Sequence, residues 1–575
     1  MRHLPAIDGL RAVAVLSVIA YHVGAPAGFV GVDVFFVISG YLITSILLRE
    51  PGLAEFYARR ARRILPAAFL VVLVTLALSF LLLPSPRDVA RSAAAAGVFV
   101  ANVFFQHTTG GYWAPAADSM PLLHLWSLSV EEQFYLAWPL LLLFVRRARW
   151  LWLLAGASFA LYAALSYFNP EAAFYQTPAR AWELAAGGLV AFGAIRPMRG
   201  GLFVVLAACL LPMPVWAAQP LAVLGATILV SSVHAGHRSV LEARPFAWIG
   251  LISYSLYLWH WPLLAIDRAT RAGDAPLATK LALVAVTFVL AVLTYRYVET
   301  PFRRMRTQPR RAVAIGVACA AVLTCSAFAL ASRQPPAPVV IPRASVSVDY
   351  CHPWRKGTAQ FQPAWCAPNA PKVVLWGDSF TKPWEGYVLR LATQQKMAAV
   401  YAVNTSCPAV IGVSLPRDTP KFSAYCRRKA EETYAYLKAH GADTLLVSAH
   451  WARMLRERPD AGKGVLAWAK GLPNVRRIIV IGATPEIRDS VEKCQALGVS
   501  CDIPRREYEA SASATRAMTR ELGKLPNVEV WEVGDWMCDA DLCRGVRDVP
   551  LYQHDNHHIS VEAAVRYQAT RPSAQ

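Results

Sequence analysis

Apolar runs of similar length, separated by short polar or basic stretches, dominate the chain before residue 332. They fall near 10–25, 30–48, 65–83, 123–145, 150–168, 179–195, 201–213, 218–233, 246–266, 279–297 and 312–331. A membrane-spanning helix needs about 20 mostly apolar residues, so this pattern predicts a multi-pass α-helical region of about 11 spans. The 201–213 run is short and weak, and a further Ala-rich run, 89–106, is ambiguous.

The pattern changes after about residue 340. "SRQPPAPVVIPRAS" (332–345) is Pro-rich and reads as an extended, semi-rigid linker. Beyond it, apolar runs at 373–376, 398–403, 444–448, 477–482 and 528–533 read as strands, and 422–440, 461–470 and 506–524 as helices. Strands alternating with helices predict a mostly parallel sheet covered on both faces. The expected organisation is therefore a membrane domain at 1–311, an additional transmembrane helix at 312–331, a linker and domain entry at 332–350, and an α/β domain at 351–575.

Composition agrees. Of 575 residues, 55% are hydrophobic and only 17% charged, and the mean hydropathy is +0.34. These values belong to a membrane protein or a membrane–soluble hybrid. The net charge of +20 does not argue for nucleic acid, because the arginines cluster between apolar runs. Those clusters are "FYARRARR" (56–63), "RRAR" (146–149), "RPMR" (196–199), "HRSVLEAR" (237–244) and "RRMRTQPRR" (303–311). With 89–106 outside the bilayer, all five fall on one side, as the positive-inside rule asks of the cytoplasm. The N-terminus is then cytoplasmic and everything past residue 332 is exported.

The cysteines divide the same way. Cys209, Cys319 and Cys325 lie in apolar runs, whereas Cys351, Cys366, Cys407, Cys426, Cys494, Cys501, Cys538 and Cys543 follow residue 340. An even number in the soluble part fits disulfides and an oxidising compartment. Nearest-neighbour pairing is one of the possible connectivities.

Candidate chemistry lies in both regions. "VVLWGDSF" (373–380) ends a strand in Gly-Asp-Ser, and "HDNHHIS" (554–560) places Asp555 three residues before His558. In a triad, Ser379 attacks, His558 takes its proton and Asp555 orients the imidazole. Each stretch also has a plainer reading, as a polar turn or as a surface loop with a metal-prone His pair. Ser379 is not in a G-x-S-x-G elbow, which disfavours an α/β-hydrolase. In the membrane region, titratable groups are costly and usually functional. Arg11 and His22 lie eleven residues apart on the first span, about 16 Å along a helix. Arg11 also fits a topology anchor, and His22 a hydrogen-bonded packing residue. Arg59, Arg60, Arg62 and Arg63 suit phosphate recognition and fit positive-inside anchoring equally. Asp33, His124, Glu131, Glu132, Arg180, Glu183 and His260 are further polar groups in or beside spans, with Asp33 and Glu131 favoured as near-site residues.

Residues 3–306 resemble the acyltransferase-3 family of membrane acyltransferases. The resemblance rests on "HLPAIDGLRAVAVLSVIAYH", "GVDVFFVISGYLI", "FYARRARRILP", "HLWSLSVEEQFYLAWPL", "SYSLYLWHWP" and "VETPFR". Residues 371–575 resemble the SGNH hydrolase-like domain, through Gly-Asp-Ser and the terminal Asp-x-x-His. "TSCPAVIG" (405–412) looks like that family's second block, which makes Gly412 an oxyanion-hole candidate beside the Ser379 N–H. The Asn usual in the third block has no counterpart in "LLVSAHW" (445–451).

The combined resemblance implies a bacterial O-acetyltransferase of surface glycans, multi-pass in the inner membrane with a periplasmic tail. It implies acetyl-CoA as acyl-donor substrate, no permanently bound cofactor or metal, and essential roles for Arg11 and His22. The acceptor expected is lipopolysaccharide O-antigen, with peptidoglycan or exopolysaccharide as alternatives. A non-catalytic exporter and a membrane-anchored acetylesterase are rivals from other classes. The oligomeric state is left open.

Overall fold

A computed structural model describes residues 4–49, 52–83, 86–108, 117, 120–144, 147–271, 273–333, 372–403, 407–412, 420–553 and 555–571. Most of the Pro-rich linker, together with Cys351 and Cys366, lies outside the described residues. The chain divides into two compact units, Met1–Val340 and Ile341–Gln575.

The first unit is helical. In chain order it contains α1 (Pro5–Val23), α2 (Gly31–Arg49), α3 (Leu53–Leu82), α4 (Arg87–Gly97), α5 (Ala101–Thr108), α6 (Leu125–Phe144), α7 (Ala148–Phe168), α8 (Pro170–Tyr175), α9 (Thr177–Ala191), α10 (Gly201–Leu210), α11 (Val215–His234), α12 (Arg244–Thr270), α13 (Leu277–Thr294), α14 (Thr300–Arg304) and α15 (Pro309–Arg333). A π-helical turn at Tyr295–Glu299 joins α13 to α14.

Eight helices among the described residues are long and apolar enough to cross a membrane, where eleven spans were expected. The chain is a multi-pass membrane protein, and the three shortfalls have local causes. The 201–213 run yields only the ten residues of α10, because Pro212 and Pro214 stop it. The 179–195 run yields the 15 residues of α9, closed by Gly193 at φ +67°. Helix α6 has 20 residues, but Glu131, Glu132 and Gln133 lower its hydropathy. The ambiguous 89–106 run forms α4 and α5, of 11 and 8 residues, each too short to span.

Two helix pairs touch through their backbones. On α2 and α9, a Cβ added to Gly40 would lie 1.9 Å from the Leu184 carbonyl oxygen, and one on Gly187 2.0 Å from that of Val37. On α1 and α12, a Cβ on Gly250 would lie 1.9 Å from the Asp8 oxygen. Helices pack in lipid by this close approach, where small residues admit more dispersion contact. The second crossing matters most for chemistry, because it lays α12 along the helix that carries Arg11 and His22.

The second unit is a parallel α/β domain. Its strands are β1 (Lys372–Gly377), β2 (Ala398–Val403), β3 (Ala442–Ser448), β4 (Val475–Ile481), β5 (Ile503–Pro504), β6 (Val528–Trp531) and β7 (Leu542–Cys543). The main sheet has the order β2-β1-β3-β4-β6, with every neighbouring pair parallel, while β5 and β7 form a small antiparallel pair. The three central strands, β1, β3 and β4, are almost wholly buried, as continuous apolar runs in parallel sheets should be, while the edge strand β6 is mostly half-buried. The five expected strands and three expected helices are all present, the helices as Pro420–His440, Ala461–Lys470 and Arg505–Leu522.

Chain order reverses at β1, with β2 on one side and β3 on the other. Such switch points open a crevice at the carboxyl ends of the strands. Cys407–Cys426, Cys494–Cys501 and Cys538–Cys543 are disulfides, each between neighbours in sequence.

Candidate functional site

In the second unit the site grows from the end of β1. Gly377 has φ +150°, and a Cβ there would lie 1.9 Å from the Ser448 oxygen. The register pairs Gly377 with Ser448 at the end of β3, so the next residues of both strands emerge side by side. Asp378 uses this proximity: Oδ1 accepts from the Phe380 N–H at 2.9 Å and Oδ2 from the His450 N–H at 3.1 Å. Ser379 then starts a 3₁₀ turn over Ser379–Trp384, which fixes its hydroxyl over the crevice.

The C-terminal segment meets it there. Ser379 Oγ lies 2.8 Å from His558 Nε2, and His558 Nδ1 lies 2.5 Å from Asp555 Oδ2. Asp555 Oδ1 also accepts the backbone N–H of His557 at 3.1 Å and of His558 at 2.7 Å. Burial alone would raise the Asp555 carboxyl. The His558 hydrogen bond and the nearby imidazoles outweigh it and set the carboxyl at about 2. An ionised carboxylate only accepts, so His558 Nδ1 donates and Nε2 presents its lone pair to Ser379. That geometry can deprotonate Ser379 as it attacks a carbonyl carbon.

Other residues around the hydroxyl were not anticipated. The Phe380 ring stacks on His450 at 4.5 Å and tilts over His558 at 4.4 Å. His450 and His557 lie parallel at 5.3 Å, and His450 Nε2 lies 2.8 Å from Glu486 Oε1. His450 ends the "VSAH" stretch in which the usual Asn was missed. Its place after β3, beside β1, was the available signal. Gly412 has φ +72° and sits in an exposed turn between β2 and the helix at Pro420–His440. Among the described residues no hydrogen bond joins it to Ser379.

Asp555, His557 and His558 also offer ligand atoms within 4.8 Å of one another, a spacing a metal ion fits. An ion there would compete for the His558 and Asp555 atoms that hold the Ser379 hydrogen bond.

In the first unit the candidate residues separate into three places. Arg11, Arg60, Arg63 and Glu131 line one interior cavity with Ser39, Tyr135, Tyr254 and Tyr257. The cavity is partly open to solvent. Glu131 accepts from Ser39 Oγ at 2.9 Å and from Tyr135 Oη at 3.1 Å. Arg59 and Arg62, a helical face away, line an outer groove with Glu55, Arg303, Arg304 and Arg306. Arg62 is held there by Glu55 at 3.1 Å and by the Met305 carbonyl at 2.6 Å. Asp33 lines neither. It is fully buried against Arg180 at 2.8 Å, and Arg180 forms a second ion pair with Glu183 at 3.0 Å whose angles are not those of a hydrogen bond.

His22 is outside the cavity, at the end of α1. Its Nδ1 lies 3.1 Å from His260 Nε2 on α12, and Trp261 packs against its ring at 4.4 Å. Tyr257 links the two places: its ring lines the cavity and its carbonyl meets His260 Nδ1 at 2.6 Å. The His124 ring completes the cluster, 5.9 Å from that of His260.

A helical unit with an arginine-lined inner cavity is thus joined in sequence to a parallel α/β domain that carries a serine–histidine–aspartate array. Residues 4–296 match the acyltransferase domain family Acyl_transf_3, and residues 350–570 match the SGNH domain that is fused to AT3 domains. The chain belongs to the acyltransferase-3 family.

Similar curated proteins include the peptidoglycan O-acetyltransferase OatA of Listeria monocytogenes, 34% identical over 349 residues, covering 53% of this chain and 56% of the relative. The putative peptidoglycan O-acetyltransferase YrhL of Bacillus subtilis is 34% identical over 351 residues, covering 52% and 55%. The O-acetyltransferase OatA of Staphylococcus aureus is 31% identical over 351 residues, covering 53% and 58%. The chain thus spans a little over half the length of the curated relatives it matches. Among solved structures, the periplasmic domain of a Salmonella ser. Paratyphi A lipopolysaccharide acetyltransferase aligns with a TM-score of 0.27 and 13% identity, over 35% of this chain and 82% of that one.

Proposed function

We propose that the protein is an O-acetyltransferase of a bacterial cell-surface glycan. It takes the acetyl group from cytoplasmic acetyl-CoA, moves it through the membrane unit, and delivers it outside to a glycan hydroxyl. The N-terminus is cytoplasmic, and the tail lies in the periplasm or outside the cell. The observation that carries this reading is the convergence of Arg11, Arg60 and Arg63 on one cavity. Asp8 lies 3.7 Å from Arg11, and of the charged groups lining the cavity three are guanidiniums and one, Glu131, a carboxylate, so the space favours an anionic occupant, and the phosphates of coenzyme A supply one. A simple anchor for a secreted esterase needs no such cavity.

In the tail, Ser379 Oγ attacks the acetyl carbon and His558 Nε2 takes its proton. The proton passes to the departing group as its bond to the acetyl carbon breaks, leaving an acetyl ester on Ser379. A glycan hydroxyl then attacks that ester, its proton goes to His558, and Ser379 Oγ leaves and regains the proton. Gly412 and the Ser379 N–H are the proposed oxyanion donors.

The acceptor we favour is peptidoglycan, since two of the relatives above carry that substrate in their names. This displaces the O-antigen expected from the sequence.

Membrane vesicles given labelled acetyl-CoA and either peptidoglycan fragments, O-antigen or exopolysaccharide test the reading. Label on peptidoglycan supports it in full, and label on another glycan moves the acceptor. Release of free acetate from pre-acetylated glycan without transfer would identify an esterase, and passage of label with no new ester an exporter. Trapping acetate on Ser379 in a His558→Ala variant tests the serine step.

A further inference from the structure

The hydrogen bonds around His22 specify which of its ring nitrogens carries the proton. The Tyr257 carbonyl can only accept, so the His260 nitrogen 2.6 Å away, Nδ1, must donate. A neutral imidazole has one N–H, so His260 Nε2 is then an acceptor. His22 Nδ1, 3.1 Å from that acceptor, must therefore carry the His22 proton. The lone pair of His22 is left on Nε2, which has no hydrogen-bond partner among the described residues. The two rings lie stacked, 5.2 Å apart and 19° from parallel, with Trp261 against the first, so neither turns freely. His260 is wholly buried, at 0% exposure, and α12 is seated on α1 by the Gly250–Asp8 contact.

We infer that His260 is a positioning residue for acyl transfer in the membrane unit: it relays the Tyr257 carbonyl to His22 and so holds Nε2 as the proton acceptor. The logic is that of an orienting partner behind a catalytic imidazole, with a backbone carbonyl and a second histidine in place of a carboxylate. A neutral relay suits this location, because a carboxylate buried in a span carries a larger desolvation cost. The inference rests on His22 being the base of the proposed reaction, and assigns the residue that fixes its tautomer.

The test uses the full-length protein in lipid nanodiscs, labelled with ¹⁵N at histidine. His22→Gln identifies the His22 resonances by difference. The expected wild-type spectrum shows His22 with a protonated Nδ1 and a bare Nε2. His260→Met keeps the bulk but removes the acceptor, so His22 should shift toward the Nε2–H tautomer. Acetyl transfer should fall by about 10²-fold or more with the KM for acetyl-CoA unchanged. His260→Gln restores a side-chain acceptor and should recover transfer to within about tenfold of wild type.

A wild-type His22 that carries its proton on Nε2 overturns the inference without any variant having to fold. So does His260→Met with wild-type transfer while His22→Ala is inactive. Transfer that survives His22→Ala overturns the base assignment itself, and with it any role for His260 in the chemistry.

Discussion

Gly377 and Ser448 lie opposite one another at the ends of β1 and β3, so close that a Cβ on the glycine would meet the serine's carbonyl oxygen at 1.9 Å. The obstacle is backbone, which cannot rotate aside, and φ is +150°, a region costly for L-residues. Gly377→Ala should therefore destabilise the tail by about 1–3 kcal/mol. It should also move Ser379, two residues on. Thermal unfolding, together with labelling of Ser379 by a serine-reactive fluorophosphonate, checks this. Unchanged labelling and stability would show that the strand ends are not so closely held.

The Ser379–His558–Asp555 array should behave as a unit. Ser379→Ala, His558→Ala and the double variant should lose similar transfer activity, because residues acting together are not additive. Asp555→Asn should cost less, since the His558 ring can keep its place. Acetyl-CoA affinity, which is assigned to the membrane unit, should be unaltered in all four. Transfer at the normal rate by Ser379→Ala would reduce the tail to acceptor binding or a structural role.

Acid should weaken the tail in two separate windows. Burial, only partly offset by Asp555, lowers the His557 imidazole to about 4 from its ordinary 6.5. Its folded value is the lower one, so the unfolded chain binds the proton more readily. Its contribution to stability is complete above pH 6.5 and is lost as pH falls toward 4. Asp555, at about 2 against an ordinary 3.8, contributes fully above pH 3.8 and is lost only as pH falls toward 2. His557→Gln should flatten the upper window and also narrow the lower one, because the His557 imidazole helps to hold the Asp555 carboxyl down. Denaturant midpoints of the tail followed between pH 7 and pH 4 measure this, and an equal slope in the variant would refute it.

The arginines of α3 should separate by face. Arg60→Gln with Arg63→Gln should weaken acetyl-CoA binding, because both line the inner cavity. Arg59→Gln with Arg62→Gln should instead disturb the outer groove and its tie to Met305. Isothermal titration of both double variants with coenzyme A compares them, and an equal loss would mean that the phosphates reach the outer groove as well.

Non-reducing peptide mapping should recover Cys407–Cys426, Cys494–Cys501 and Cys538–Cys543. Nearest-neighbour pairing, one of the possible connectivities, would join Cys351 to Cys366, and the same map tests it. Eight free thiols would contradict an oxidising compartment for the tail.

Most of the tail was legible because a buried parallel strand is a continuous apolar run and its helices are not. Ser379, Asp555 and His558 stood out by residue type and spacing. His450 and Glu486 did not, since only the pairing of β1 with β3 and the loop after β4 bring them to the hydroxyl, and Phe380, next to Ser379 in the chain, shows its part only through the imidazoles packed on its ring. In the membrane unit the apolar runs marked the helices but overstated the spans. Polar residues such as Glu131, which turn inward to a cavity, dilute the hydropathy of α6. Arg59 to Arg63 read as one cluster, since 100° per residue divides them between faces but does not say which face is inward. Asp33 read as a near-site group because burial against Arg180 leaves no mark in the local sequence.

The crossing of α2 and α9 on bare backbone governs more than packing. Side chains can yield by changing rotamer, whereas two main chains in contact have a single permitted spacing. Ser39 precedes Gly40 on α2, about 100° round the helix, and lines the cavity, where it holds Glu131. One wall of the proposed donor chamber is thus gauged from behind. A methyl group at position 40 or 187 would alter the chamber without touching anything that lines it, and sequence drift at those two glycines should reach the chemistry before it reaches the fold.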